Sequence, residues 1–208
     1  VAPSAVVLVN LGTPDAPTRR AVRRYLKEFL SDPRVVEIPR ALWWCIMNLV
    51  ILPFRSGKSA KKYAMIWSRE GSPLKVHTSK QAALLQGMLE ERGHGDVKVV
   101  MAMRYGSPSL PEVLDQLKAK NVERIAILPA YPQYSGTTTA SIYDAVFAHY
   151  AGVRNLPELR MVRNYHDNEA YITALEESIQ SYWEAHGRGE KLVMSFHGVP
   201  KRTLLLGD

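Results

Sequence analysis

Ala5-Val6-Val7-Leu8-Val9 running into Asn10-Leu11-Gly12-Thr13-Pro14 is the stretch that decides the fold. Five apolar residues are too few for a helix, and the glycine and proline that follow stop the chain from extending further. The segment therefore reads as a strand ending in a turn. Just beyond it, Thr18 is placed to cap a helix whose apolar positions, Val22, Tyr25, Leu26, Phe29 and Leu30, share one face, with Pro33 past its end.

The alternation continues along the chain. Thr78 and Gln81 read as a capping box for a helix carrying Leu84, Leu85, Met88 and Leu89, stopped by Gly93. Val97–Met103 is a second strand. Ser109 and Glu112 form a further capping box, with Val113, Leu114 and Leu117 on one face. Arg124–Pro129 is a third strand and Leu159–Val162 a fourth, separated by a helix over 137–150 with Ile142, Ala145 and Val146 inward. Asp167 or Asn168 starts a helix through Ile172, Leu175, Ile179 and Tyr182, closed by Gly187-Arg188-Gly189. A fifth strand, Leu192–Phe196, then delivers His197 into Gly198-Val199-Pro200. Strands alternating with helices in this way specify an α/β protein with a mainly parallel sheet. The loop around Val153–Pro157 is the candidate lobe boundary. Leu204–Asp208 arrives with no completed helix after the fifth strand, so the reading expects further chain to cover it.

Composition narrows the function. Lys and Arg exceed Asp and Glu by 27 to 20, a net charge of +7 that favours anionic partners without choosing among them. The basic residues form no dense run, and no helix-turn-helix or RNA-binding signature stands out, which argues against nucleic acid. A single cysteine, Cys45, excludes an internal disulfide framework and reads as a small packing residue. No Gly-x-Gly-x-x-Gly, Walker A lysine, Gly-x-Ser-x-Gly or His-Glu-x-x-His motif is present. The first residues carry no secretory signal pattern, and no apolar run reaches the roughly 20 residues that span a bilayer. Ala41–Phe54, with paired tryptophans, is apolar on all sides and flanked by Arg40, Arg55 and Lys58. It reads either as a buried core helix or as an apolar lip that touches a membrane or walls a pocket for a flat ligand.

The candidate chemistry sits at strand ends, where open α/β sheets bind ligands. Arg104 and Tyr105 follow the second strand, Tyr131 and Tyr134 the third, and His197 the fifth. Arginine suits carboxylates and tyrosine suits an aromatic face. Arg104 and Tyr105 are equally able to pin a loop. Ser135-Gly136-Thr137-Thr138-Thr139 is either an anion cradle at a helix N-terminus or a hydroxyl-rich cap. His77, His94, His149, His166 and His186 are scattered and read as solvated or structural.

Five segments in order carry a resemblance: Asn10-Leu11-Gly12-Thr13-Pro14, Gly71-Ser72-Pro73-Leu74, Arg104-Tyr105-Gly106, Tyr131-Pro132-Gln133-Tyr134-Ser135 and Ser195-Phe196-His197-Gly198-Val199-Pro200. Together they resemble ferrochelatase in its bacterial form, a lyase of heme biosynthesis that inserts ferrous iron into protoporphyrin IX. The resemblance implies a chelatase-like fold of two similar lobes, each a four-stranded parallel sheet flanked by helices, with porphyrin between them. Residues 1–160 would form the first lobe and 161–208 the start of the second. It implies His197 as the residue that binds metal and abstracts a pyrrole proton, with its acidic partner beyond Asp208. It implies Leu11, Arg55, Tyr63, Ser72, Arg104, Tyr105 and Tyr131 as porphyrin-binding positions. Ferrous iron is then a substrate. The animal-type iron–sulfur ligand position is occupied by Gly136, so this segment does not support a cluster. The expected location is cytoplasmic, peripheral to the inner membrane through Ala41–Phe54. Two alternatives stay open: a cobalt or nickel chelatase for another tetrapyrrole, and a non-catalytic porphyrin- or membrane-binding module.

Overall fold

Four parallel strands in the order β2-β1-β3-β4 form the frame of the computed structural model, which describes residues 2–208; Val1 lies outside them. The strands are β1 (Ser4–Gly12), β2 (Val97–Tyr105), β3 (Arg124–Pro129) and β4 (Glu158–Met161). The central strand β1 pairs with β2 in one register (Val7 opposite Val100) and with β3 in another (Val7 opposite Ile127). β4 pairs with β3, so the loop 153–157 leads from a helix into the fourth strand of the same sheet. A strand covered on both faces reads as a nearly continuous apolar run, and this is why Ala5–Val9 carries no polar residue.

Odd-numbered β1 residues Ala5, Val7 and Val9 face one core with Ala102, Ile125 and Ile127. α5 (Leu110–Ala119) covers it with Leu110, Val113, Leu114 and Leu117, and α6 (Ser141–Tyr150) with Ile142 and Val146. The capping box of α5 forms as expected, and a wide π turn at Gly136–Ala140 leads into α6. The second core lies across the sheet. There α1 (Arg19–Leu30), capped by Thr18, buries Val22, Tyr25, Leu26 and Leu30 against Met47, Leu52, Ala60 and Tyr105. Each fully buried aliphatic side chain in these layers contributes on the order of 1.5–3 kcal/mol.

The apolar stretch is helical but is not a core helix. α2 (Arg40–Ile46), a π turn at Met47–Ile51 and α3 (Leu52–Ile66) run on continuously. Pro53 explains the wide turn: it has no N–H to donate and its ring would crowd the carbonyl four residues back. The inner face packs through Met47, Leu52, Ser56 and Ala60. The outer face leaves Leu42, Trp44, Leu49, Val50 and Phe54 exposed, Leu49 at 68% and Phe54 at 71%.

Two local expectations fail. α4 begins at Pro73, with Ser72 at its N-cap position, and runs to Glu91, so Thr78 lies inside the helix and donates its hydroxyl to the Leu74 carbonyl. A proline at the first helical position outweighs the Thr78–Gln81 pattern, because its fixed φ suits that position and it needs no N–H partner there. Second, Leu192–Phe196 is not a strand. The run is exposed and pairs with no strand of the sheet. A parallel strand needs a neighbouring strand to bond to, and among the described residues the sheet consists of β1–β4 alone. α7 (Glu169–His186), capped by Asn168, forms where expected but buries none of its residues. α8 (Lys201–Leu205) is one short turn.

Candidate functional site

β1 has β2 on one side and β3 on the other, so the strand order reverses beside it. That places a switch-point crevice beyond the carboxyl ends of β1 and β3. Beside it, the turns after β1 and β2 approach closely. Gly12 has φ +108°, and a Cβ on it would lie 1.7 Å from the Tyr105 carbonyl oxygen. Gly106, at φ +85°, faces the Thr13 carbonyl in the same way at 2.6 Å. Glycine at both positions lets the β1 and β2 turns cross without a side chain between them.

Leu11 is half-buried against the second core. Thr13 is buried and donates its hydroxyl to buried Ser72 at 2.8 Å, joining the β1 turn to the first turn of α4. One residue earlier, Asn10 Nδ2 donates to Thr78 Oγ1 at 2.9 Å, so Thr78 serves as a tie between β1 and α4. Tyr63 stands on α3, its ring edge-on to Tyr25 and to Trp67. Tyr131 follows β3 and packs on the first core. Its hydroxyl is buried with no hydrogen-bond partner. Burial, and then the neighbouring Tyr105 and Tyr25, push its pKa far up, so it stays a neutral hydroxyl. Arg55 is exposed on the outer side of α3, just beyond the apolar lip.

Arg104 and Tyr105 turn inward. Tyr105 is buried in the second core with Phe29 edge-on to its ring at 5.2 Å. Its hydroxyl donates to Asp32 at 2.7 Å. Arg104 stacks its guanidinium 4.5 Å over that ring and donates to Asp32 at 2.6 Å and to Ser141 through Nε. Ser141 donates to the same carboxylate oxygen at 2.5 Å. Burial by itself would raise the Asp32 carboxyl. Hydrogen bonds from Ser141, Tyr105 and the Arg34 N–H, with the Arg104 charge, outweigh burial and hold it below the usual range. Asp32 escaped the sequence reading, because Leu30-Ser31-Asp32-Pro33 looks like an ordinary turn after a helix.

His197 is exposed on irregular backbone between α7 and α8, away from any strand end. The structure therefore packs Leu11, Tyr63 and Tyr105 in the second core and Tyr131 against the first, ties Ser72 to the β1 turn and Arg104 to Asp32, and leaves Arg55 and His197 outside. The N–H of Gly136, in the turn read as an anion cradle or cap, donates to the Asp208 carboxylate. A surface groove of about 520 Å3 lies at the opposite, amino ends of the strands, lined by Lys118, Arg124, Tyr150 and Glu158. It is an open groove far from the crevice. No helix of the described residues is long and apolar enough to cross a membrane.

Comparison with known proteins matches the sequence to a family model. The ferrochelatase family model covers residues 3–208. The chain is 75% identical to ferrochelatase of Janthinobacterium sp. (strain Marseille) and 72% identical to that of Herminiimonas arsenicoxydans, each over 99% of this chain and 55% of the relative. It is 51% identical to ferrochelatase of Nitrosomonas europaea over 98% of this chain and 56% of that protein. The chain thus spans just over half the length of the curated relatives it matches. With a four-stranded parallel sheet and a family match over nearly every residue, the chain belongs to the ferrochelatase family.

Proposed function

We propose that the protein containing this chain inserts ferrous iron into protoporphyrin IX to give protoheme. The observation that carries this reading is the switch-point crevice bordered by a long apolar lip, in a chain belonging to this family. Porphyrin is a flat apolar ring with carboxylate arms. Leu11, Tyr63, Tyr131 and the Ser72 turn offer an apolar and hydroxyl-bearing wall, and Arg55 stands beside the lip for a propionate. Arg104 and Tyr105 support that wall from behind. Metallation must remove two pyrrole protons, and the His197 imidazole is suited to accept one and to ligate the arriving ion. A rigid wall that bends the macrocycle lowers the barrier to metal entry.

In this reading residues up to Met161 form one lobe. α7 and the Leu192–Phe196 run belong to a second lobe whose sheet pairs with that run and carries His197 to a strand end. The exposed apolar face of α7 supports this, since Ile172, Leu175, Ile179 and Trp183 line an open groove with Leu192. The lip also supports contact with the membrane surface. Its outer face is apolar, no acidic residue lies between Glu37 and Glu70, and Arg55, Lys58, Lys61 and Lys62 follow the apolar tip along α3. A cytoplasmic enzyme peripheral to the inner membrane fits these features.

The test uses the full-length protein, supplied anaerobically with ferrous iron and protoporphyrin IX. His197→Ala should abolish iron insertion while porphyrin still binds. Near-normal turnover in that variant would sink the assignment, and preference for sirohydrochlorin over protoporphyrin would move it to another chelatase.

A further inference from the structure

Asp32 lies on the segment that roots the lip. The turn 31–39 connects α1 to α2, and the lip folds back onto it. Trp43 Nε1 donates to the Leu30 carbonyl at 2.6 Å, and Ser31 Oγ lies 3.7 Å from Met47 Sδ. A groove of about 310 Å3 remains between turn and lip, lined by Val36, Ile38, Trp43, Trp44 and Met47. The lip is therefore attached to this turn and incompletely packed on it.

The other side of the same turn is clamped to the crevice. Asp32, 6% exposed, takes hydrogen bonds on one oxygen from Arg104 and Tyr105 at the end of β2 and from Ser141 at the start of α6. Its other oxygen accepts the Arg34 N–H at 2.7 Å. Arg34 in turn grips Asp144 on α6 through two bonds, at 2.7 and 3.2 Å. Three separate parts of the proposed porphyrin wall converge on one carboxylate: the lip through its root, β2 through its last residues, and the β3 loop with Tyr131 through the helix that follows it.

We propose that Asp32 is a positioning residue that fixes the distance between the lip and the switch-point crevice, so that Arg104 and Tyr105 act on porphyrin binding through it. The inference rests on the iron-insertion reading for its kinetic consequence but not for its structural one. A buried carboxylate satisfied by three side-chain donors and one backbone donor has one low-energy arrangement. Removing it frees two rigid bodies to shift against each other. The flat ligand they hold is sensitive to displacements on the order of 1 Å.

The experiment has two arms on the full-length enzyme. In hydrogen exchange, Asp32→Asn should accelerate amides of residues 31–47 by about tenfold while β1 and β3 keep their protection. In steady-state kinetics, Asp32→Ala should raise half-saturation by porphyrin about fivefold or more, with half-saturation by ferrous iron unchanged, and Asp32→Asn should fall between Asp32→Ala and the parent. Val113→Ala, a cavity in the opposite core, is the control for simple loss of stability. It should leave porphyrin half-saturation unchanged. If Asp32→Ala does not fold, Ser141→Ala should reproduce both effects at smaller size. Unchanged exchange over residues 31–47, or an equal rise in half-saturation for Val113→Ala, would overturn the inference. A parent enzyme that turns over no porphyrin would defeat the functional reading and leave the exchange arm to decide on Asp32.

Discussion

Thr13 and Ser72, separated by 59 positions in sequence, share a 2.8 Å hydroxyl–hydroxyl bond in a site where both are buried. That bond ties the turn after the central strand to the first turn of α4. It aligns the helix that carries the second tie, Asn10 to Thr78. Ser72→Ala should cost about 1–3 kcal/mol, because it leaves the Thr13 hydroxyl buried and unpaired. Thr13→Val combined with Ser72→Ala should cost less than the sum of the two single changes. Denaturant unfolding of the four proteins in the cycle measures this, and strict additivity would show that the two hydroxyls do not interact.

Gly12 and Gly106 should resist substitution for a different reason. At Gly12 a methyl group meets a backbone carbonyl at 1.7 Å, and backbone at a strand junction cannot rotate away. Gly12→Ala is expected to cost more than about 4 kcal/mol, at the exceptional end of single substitutions. Gly106→Ala, with its nearest atom at 2.6 Å, should be milder. Soluble yield and thermal midpoint would rank the two, and a tolerated Gly12→Ala would contradict the crossing.

Acid should act through Asp32. A carboxyl whose folded pKa lies below its unfolded value stabilises the fold above the ordinary carboxylate range. That contribution is lost as pH falls through the folded pKa. The shift is downward from 3.8, so the loss begins below about pH 4. Asp32→Asn should lower stability at neutral pH and flatten the acid limb of the stability curve. An acid limb unchanged in that variant would assign the titration elsewhere.

The outer edge of the sheet offers another test. Gln86 on α4 accepts from the Val99 N–H at 2.8 Å and donates to the Val97 carbonyl at 3.3 Å, occupying backbone groups on the free side of β2. An edge strand with open groups invites pairing with another chain. Gln86→Leu should lower stability by about 1–2 kcal/mol and promote aggregation on mild heating. Light scattering follows this, and unchanged scattering would show that the edge needs no cover.

The lip predicts a separation of stability from surface binding. Leu49→Glu and Phe54→Glu alter exposed positions and should shift stability by no more than about 0.5 kcal/mol. Both should weaken co-sedimentation with vesicles containing anionic lipid. Full binding by the double variant would confine the lip to lining the pocket.

Local sequence was a good guide wherever a segment's neighbours in space were also its neighbours in sequence, or where its pattern forced burial on both sides. Thr18, Ser109 with Glu112, and Asn168 bond within three residues of themselves, so their helices could be read directly. The apolar runs at Ala5–Val9 and Arg124–Pro129 become strands because nothing else buries them. Their parallel order follows from the helices between them. Thr78 shows the limit, since its capping pattern was overridden by Pro73 and its hydroxyl is used by Leu74 and Asn10.

What sequence alone determined was the alternating α/β class and the residues following β1, β2 and β3, because periodicity and turn chemistry are properties of short segments. What only tertiary structure decided was the use of those residues. Arg104 and Tyr105 turn inward because a carboxylate 72 and 73 positions away sits behind them. The run before His197 stays unpaired because a strand exists only where another supplies its hydrogen bonds.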